Sequence, residues 1–308
     1  MSRAAVTEFA TLAGYDAHMS TAATAPAAHP AHDVRCLEVW GGTEAVETTL
    51  NLPGIDAWVF SKPYAGAEQG GDIHYISSCF TGRVARFAVA DVSGHGADVS
   101  ELSGKLRKLM RKHINYLDQT GLAQVLNKEF AAQAEAGKFA TAVLLSYFAP
   151  TDHLIICNAG HPRPLWYRAA SRTWHALDHT IEHSEAAAPN NLPLGIIEPT
   201  DYVQFTVKLA PDDLVLVYTD SMLEAKAGED GPMLGEAGLL NLVRGVSIGD
   251  PQRLGREVLD RVAAHRQGAA ADDDQTLIVL HHNGTEPPNR PLRNAIRWMA
   301  DLLGLAGD

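Results

Sequence analysis

Two runs rich in β-branched and aromatic residues, 73–80 and 83–90, are separated only by Thr81-Gly82 and bracketed by Asp72 and Asp91. Such runs around a Gly-bearing pair read as a β-hairpin. A hairpin closed at Thr81-Gly82 brings its open end together, so the two aspartates come close. Further on, Asp220 follows the apolar run 214–218, and Asp272-Asp273-Asp274 precedes the run 276–280. Gathering carboxylates is costly, because two like charges about 4 Å apart repel by roughly 4 kcal/mol at an effective dielectric near 20. The layout therefore reads as a divalent-cation site. All-oxygen ligation suits Mg²⁺ or Mn²⁺ rather than zinc, which usually takes His or Cys.

The rest of the chain supplies a scaffold for such a site. Residues 36–40 and 57–60 carry the side chains of strands. Beyond Gly96 the period becomes helical, with Val99, Leu102, Leu106, Leu109, Met110 and Ile114 on one face and Lys105, Arg107, Lys108 and Arg111 largely on the other. Leu122, Val125, Leu126 and Phe130 mark a second, shorter helix. The apolar runs 139–148 and 153–157 flank a Pro150-Thr151-Asp152 turn, a further hairpin. Val203, Phe205, Val207 and Leu209 alternate as a half-buried strand, Leu254, Val258 and Val262 form the apolar side of a helix, and 276–280 is a closing strand. Hairpins outnumber β-α-β units, which predicts an α+β fold of antiparallel sheets flanked by helices.

The ends read differently from the middle. Residues 1–32, rich in Ala, Thr, Pro and His, are expected to be a disordered arm, with 33–282 as the folded domain. The polar stretch 179–191 is an expected exposed loop. Residues 283–308 begin as a linker and continue with Ile296, Met299 and Leu303 at helical spacing; that amphipathic helix caps the domain's own core or meets a second chain. A hydrophobic fraction of 46% suffices for a large core, and the formal net charge of −12 argues against nucleic acid or an anionic membrane as partner. No apolar run reaches the roughly 18 residues of a membrane span, and Glu8 and Asp16 interrupt any signal-peptide core. Cys36, Cys79 and Cys157 are too dispersed for a disulfide framework or zinc knuckle, so a cytoplasmic setting is expected. No GxxxxGK[ST] occurs, which sets aside P-loop chemistry.

Seven phrases in one order, GGD (70–72), DVSGHG (91–96), FAT (139–141), NAGHP (158–162), PLG (193–195), YTD (218–220) followed by Glu224-Ala225, and DDQT (273–276), carry a family resemblance. Over about residues 55–282 the chain resembles the PPM-type (protein phosphatase 2C-like) metal-dependent serine/threonine phosphatases, in their bacterial SpoIIE/RsbU branch. The resemblance implies an α-β-β-α sandwich and two or more Mn²⁺ or Mg²⁺ ions. Asp91 would bridge two ions, the main-chain carbonyl of Val92 would add a ligand, and Asp72, Asp220 and Asp273 would complete the set. Asp273 is chosen over Asp272 and Asp274 because the family phrase is Asp-Asp-x-Thr, matched by 273–276. Two ions about 3.5–4 Å apart turn a water between them into a nucleophile near neutral pH, with no phosphoenzyme required.

His95 in DVSGHG reads either as a general acid for the leaving oxygen or as a structural residue at a helix start. Asn158 and His161 read as shapers of a turn beside the site. The implied substrate is a phosphorylated regulatory protein, with an anti-sigma-factor antagonist of the STAS type as one candidate in a partner-switching pathway. One departure stands out: Ser221 replaces the Gly that usually follows the YTD aspartate, where it could cap a helix together with Glu224. That departure keeps open an alternative, a catalytically weak or inactive module that binds a signalling partner.

Overall fold

The computed structural model describes residues 31–33, 39–79, 82–94, 97–114, 116, 118–134, 137–178 and 191–286. The expectations for residues 1–30, for His95, for most of the 179–191 loop and for the helix after Pro287 lie outside these residues. In chain order the elements are β1 (His32–Asp33), β2 (Val39–Gly42), β3 (Val46–Leu52), β4 (Ile55–Lys62), β5 (Asp72–Ser78), β6 (Val84–Val92), α1 (Ala97–His113), α2 (Gln119–Ala131), β7 (Ala140–Phe148), β8 (His153–Ala159), β9 (Leu165–Arg168), β10 (Thr173–Ala176), β11 (Gln204–Lys208), β12 (Leu214–Tyr218), α3 (Gly235–Arg244), α4 (Pro251–His265) and β13 (Gln275–His282).

The strands form a seven-stranded sheet in the order β1-β3-β4-β13-β12-β9-β10 and a six-stranded sheet in the order β11-β8-β7-β6-β5-β2. Among the described strands only β1 and β3 pair in parallel. Alternation along each strand sends every other side chain to the opposite face, so each sheet is apolar on both sides. Leu50, Ile76, Phe87, Leu145, Val215 and Ile278 fill the space between the sheets. Ile73, Ala90 and Leu144 of the six-stranded sheet meet Leu106 of α1 and Leu126 and Phe130 of α2. Trp58, Leu216 and Val279 of the seven-stranded sheet meet Leu239 of α3 and Val258 of α4. The result is the expected α-β-β-α sandwich. Full burial of one such side chain is worth about 1.5–3 kcal/mol, so these three cores, rather than exposed ion pairs at about 0–1 kcal/mol each, hold the layers together.

Local signals place the element ends. Asp118 caps α2 by accepting a bond from the Gly121 amide at 2.8 Å, and Asp250 does the same for Arg253 at 2.9 Å, with Pro251 opening α4. The β5–β6 hairpin turns at Gly82, whose φ of 68° needs no Cβ to be accommodated. Three differences from the sequence reading appear. The strands β3, β9 and β10 and helix α3 carry no signal recognised in the sequence. His32 belongs to β1, one residue before the expected start of the domain. Val203 is 38% exposed and precedes its strand, leaving Phe205, Val207 and Leu209 as the buried positions. Among the described residues no helix is long and apolar enough to cross a membrane.

Candidate metal centre

Asp72 opens β5 and Asp91 lies near the end of β6, and the two are direct cross-strand partners. The hairpin thus does what its sequence implies. From the other sheet, Asp220 follows β12 and Asp273 precedes β13, two strands that pair antiparallel from Leu214–His281 to Tyr218–Leu277. Both sheets therefore deliver carboxylates to one end of the sandwich.

Electrostatics shows the proximity of these groups. Burial, followed by the charges of Asp220, Asp273, Asp274 and Glu224, pushes the Asp91 carboxyl up to about 8. Asp72 is raised well above the ordinary carboxylate range by burial and then by Asp91 and Asp274. Burial first, then Glu224, raises Asp220; Asp273 is raised chiefly by burial, with Asp274 and Asp220 adding to it. Among the described residues none of these four carboxylates forms an ion pair. Nor do any three His, Cys, Asp or Glu side chains among the described residues converge closely enough to hold an ion as they stand. An all-oxygen group, partly buried and short of positive charge, is the donor chemistry that suits a hard divalent cation.

The neighbouring groups sort the three consecutive aspartates. Asp272 is exposed. Asp274 is buried, and its carboxylate is taken up by backbone amides: Oδ1 accepts from Tyr64 at 2.6 Å, while Oδ2 accepts from Gly71 and, at 3.2 Å, from Asp72. Asp273 is half-buried, its Oδ1 accepting from the Asp274 amide at 2.8 Å, and it lies near the charges of Asp91 and Asp220. Gly70 explains the GGD phrase, since a Cβ there would collide with the Asp274 carboxylate. A Cβ on Gly71 would press to 3.1 Å on the Val92 carbonyl oxygen, so that carbonyl lies against the same turn.

Further residues hold the candidate ligands. Thr219 Oγ1 donates to Asp72 Oδ2 at 2.9 Å and accepts from the Thr276 amide at 3.1 Å, joining Asp72 of one sheet to β12 and β13 of the other. The sequence reading quoted Thr219 within YTD without giving it a role; its partners lie 147 and 57 residues away. Glu224, quoted only as a motif flank, contributes negative charge beside Asp91 and Asp220. Asn158 closes the NAGHP turn, accepting from the His161 amide at 2.8 Å and donating to its carbonyl at 2.9 Å. His161 is buried, which pushes its imidazole down to about 3, and it bonds Thr141, the cross-strand neighbour of Asp91, at 2.9 Å. It is thus a neutral strut, in keeping with a turn-shaping role.

The capping expected at Ser221 is not found. Thr219 holds the N-cap position of the short turn Asp220–Met222, without a side-chain cap bond, and Ser221 lies inside it with its hydroxyl unpartnered. Helical backbone at Ser221 requires no glycine, so serine sits there without backbone strain.

A two-sheet sandwich with helices on both outer faces and oxygen donors gathered at one end of the sheets defines a PP2C-type domain. The family model described as Stage II sporulation protein E (SpoIIE) matches residues 81–283. The chain belongs to the SpoIIE family, a metal-dependent group. It is 26% identical over 198 residues to phosphoserine phosphatase RsbU of Bacillus subtilis, covering 63% of this chain and 54% of that protein. Phosphoserine phosphatase RsbP of the same organism is 26% identical over 192 residues, covering 59% of this chain and 44% of RsbP. The chain thus spans about half the length of the curated relatives it matches. Among solved structures, the RsbU and RsbW domains of Rv1364c from Mycobacterium tuberculosis superpose with a TM-score of 0.65 at 21% identity, over 85% of this chain and 71% of that one. The PP2C phosphatase domain of SpoIIE from Bacillus subtilis gives 0.60 at 18% identity, over 80% and 64%. These likenesses agree in the fold.

Proposed function

We propose that this chain is a metal-dependent protein phosphatase that hydrolyses phosphoserine or phosphothreonine on a regulatory protein. The observation that carries the reading is the partly buried carboxylate set around Asp91, contributed by both sheets and lacking any ion-pair partner among the described residues, within a SpoIIE-family fold. Asp72, Asp91, Asp220, Asp273 and the Val92 carbonyl would hold Mn²⁺ or Mg²⁺. When bound, such ions supply an activated water and offset charge on the phosphoryl oxygens. The chain's own work is positional. Thr219 holds Asp72, the β5–β6 pairing holds Asp91, and Asp274 fastens the Gly70-Gly71 turn so that the ligand carboxylates keep their spacing. His95, four residues after Asp91, is assigned as the general acid that donates a proton to the departing serine or threonine oxygen.

The unit carrying this activity runs from His32 in β1 to His282 at the end of β13. The substrate class rests on RsbU and RsbP being named phosphoserine phosphatases, and a STAS-type antagonist within the cytoplasm is the candidate we favour. The test is phosphate release from a phosphoserine peptide with Mn²⁺, with Mg²⁺ and with EDTA. Turnover only with added metal supports the reading. Binding of a phosphorylated partner without turnover in any metal would instead favour the inactive binding module.

A further inference from the structure

Arg86 lies in the middle of β6 and is only 7% exposed, yet it forms no ion pair among the described residues and its Nε has no hydrogen-bond partner. Two more buried polar groups beside it are also unpartnered. Ser77 stands directly opposite Arg86 in the β5–β6 register, 3% exposed, and Tyr75, two residues earlier, is 2% exposed; neither hydroxyl meets a partner at full hydrogen-bond geometry, though the two lie near each other. Alternation puts all three on the face of the six-stranded sheet that carries Tyr75 and Ala88 into the core beneath α1 and α2. A second guanidinium, Arg111 near the end of α1, is close enough to act on the Tyr75 phenol.

Burial raises that phenol, while Ser77 and the guanidiniums of Arg111 and Arg86 draw it back, so all three lie near it. Burial also lowers Arg86, with Cys79 and Tyr75 opposing. Buried donors left open in a native fold call for a bound water or ion. Water could satisfy the hydroxyls and Nε. It would leave a buried positive charge uncompensated, and that is the larger cost.

We propose that Arg86, Ser77 and Tyr75, with Arg111 at the rim, form a binding site for a small oxyanion between β5–β6 and α1, on the face of the sheet that lies beneath the helices and away from the space between the sheets. A tetrahedral oxyanion offers several acceptors at once, matching a guanidinium fork and two hydroxyl donors. The site also has a route to the rest of the molecule. Helix α1 carries Arg111 at one end and, nearer its start, Ser103, whose hydroxyl donates to the Gly71 carbonyl at 3.0 Å, immediately before Asp72. An anion fixed beneath α1 would therefore steady the helix that supports the GGD turn.

The test is the melting temperature of the full chain as inorganic phosphate is titrated in at constant ionic strength, with EDTA present so that no metal recruits the phosphate. A saturable rise of several degrees is expected for the native sequence, reproduced by sulfate and absent with chloride. Arg86→Met should abolish the rise and, without oxyanion, melt no lower than the native chain, because an uncompensated charge has been removed. If Arg86→Met fails to fold, the double variant Tyr75→Phe/Ser77→Ala takes its place and should need several-fold more phosphate for the same shift. No rise in the native chain, or an undiminished rise in these variants, would overturn the proposal.

Discussion

Asp91 and Asp272 are chemically identical side chains with opposite expected fates. Asp91 sits among Asp220, Asp273 and Glu224, whereas Asp272 is exposed. Asp91→Asn should lower phosphatase turnover by at least about 100-fold, the scale set by removing one preorganised electrostatic contact, and Asp272→Asn should leave it within about twofold. The adjacent pair should divide differently: Asp273→Asn weakens Mn²⁺ affinity in calorimetry, while Asp274→Asn lowers unfolding free energy by about 1–3 kcal/mol, since three backbone amides lose a charged acceptor. Equal effects of Asp273→Asn and Asp274→Asn on metal affinity would contradict this assignment. The ligand aspartates were legible in the sequence because each sits in a short phrase beside an apolar run. The tasks of Asp274 and Thr219 were not, because their partners are 57–210 residues distant and no local pattern encodes them.

Elements show the same division between local and distant information. The β5–β6 and β7–β8 hairpins follow from alternation and turn residues, and α1 and α4 from clear helical stripes. Strand β3 reads Val-Glu-Thr-Thr-Leu-Asn-Leu, with polar residues that blur its period, β9 and β10 span four residues each, and α3 opens at a glycine with another inside it. Packing against the neighbouring sheet, rather than propensity, makes these segments regular. Helix α4 offers a test of how closely such packing is fitted: a Cβ on Gly255 would collide with the Trp58 ring. Alanine is the better helix former, yet Gly255→Ala should destabilise by about 1–3 kcal/mol in urea unfolding; a gain in stability would show that the contact yields. The β7–β8 turn offers another. Asp152 accepts from Tyr147 at 3.0 Å and bonds His282 of the other sheet at 2.9 Å; partial burial acts to raise its carboxyl, but these bonds and nearby positive charge hold it below the usual range. A depressed carboxylate stabilises the fold above its unfolded pKa, and that contribution disappears as pH falls through the folded value. Asp152→Asn, which tolerates the same positive φ, should cost roughly 0.5–1 kcal/mol near pH 7 after discounting for solvent screening. The gap to the native sequence should close below about pH 4; a gap independent of pH would mean that the charge is immaterial.

For the whole molecule, the consequential fact is that the candidate ligands are divided between sheets: Asp72, Asp91 and Val92 on one, Asp220 and Asp273 at the ends of strands of the other. The pairing of β13 with β4, which ties the last strand of the second sheet to an early one, was invisible in sequence since it joins segments more than 200 residues apart. A cation shared by both halves would couple their unfolding, so saturating Mn²⁺ should raise the melting temperature by several degrees, with Asp220→Asn losing most of that gain. The central claim, that hydrolysis depends on ions held by these carboxylates, is tested most directly by titrating Mn²⁺ into metal-stripped protein while counting bound ions and measuring phosphate release on the same samples. The account predicts no release at zero metal, a rate that climbs with occupancy, loss of both on adding EDTA, and neither in Asp91→Asn. Full release from the stripped protein, or ions bound stoichiometrically with no release, would contradict it.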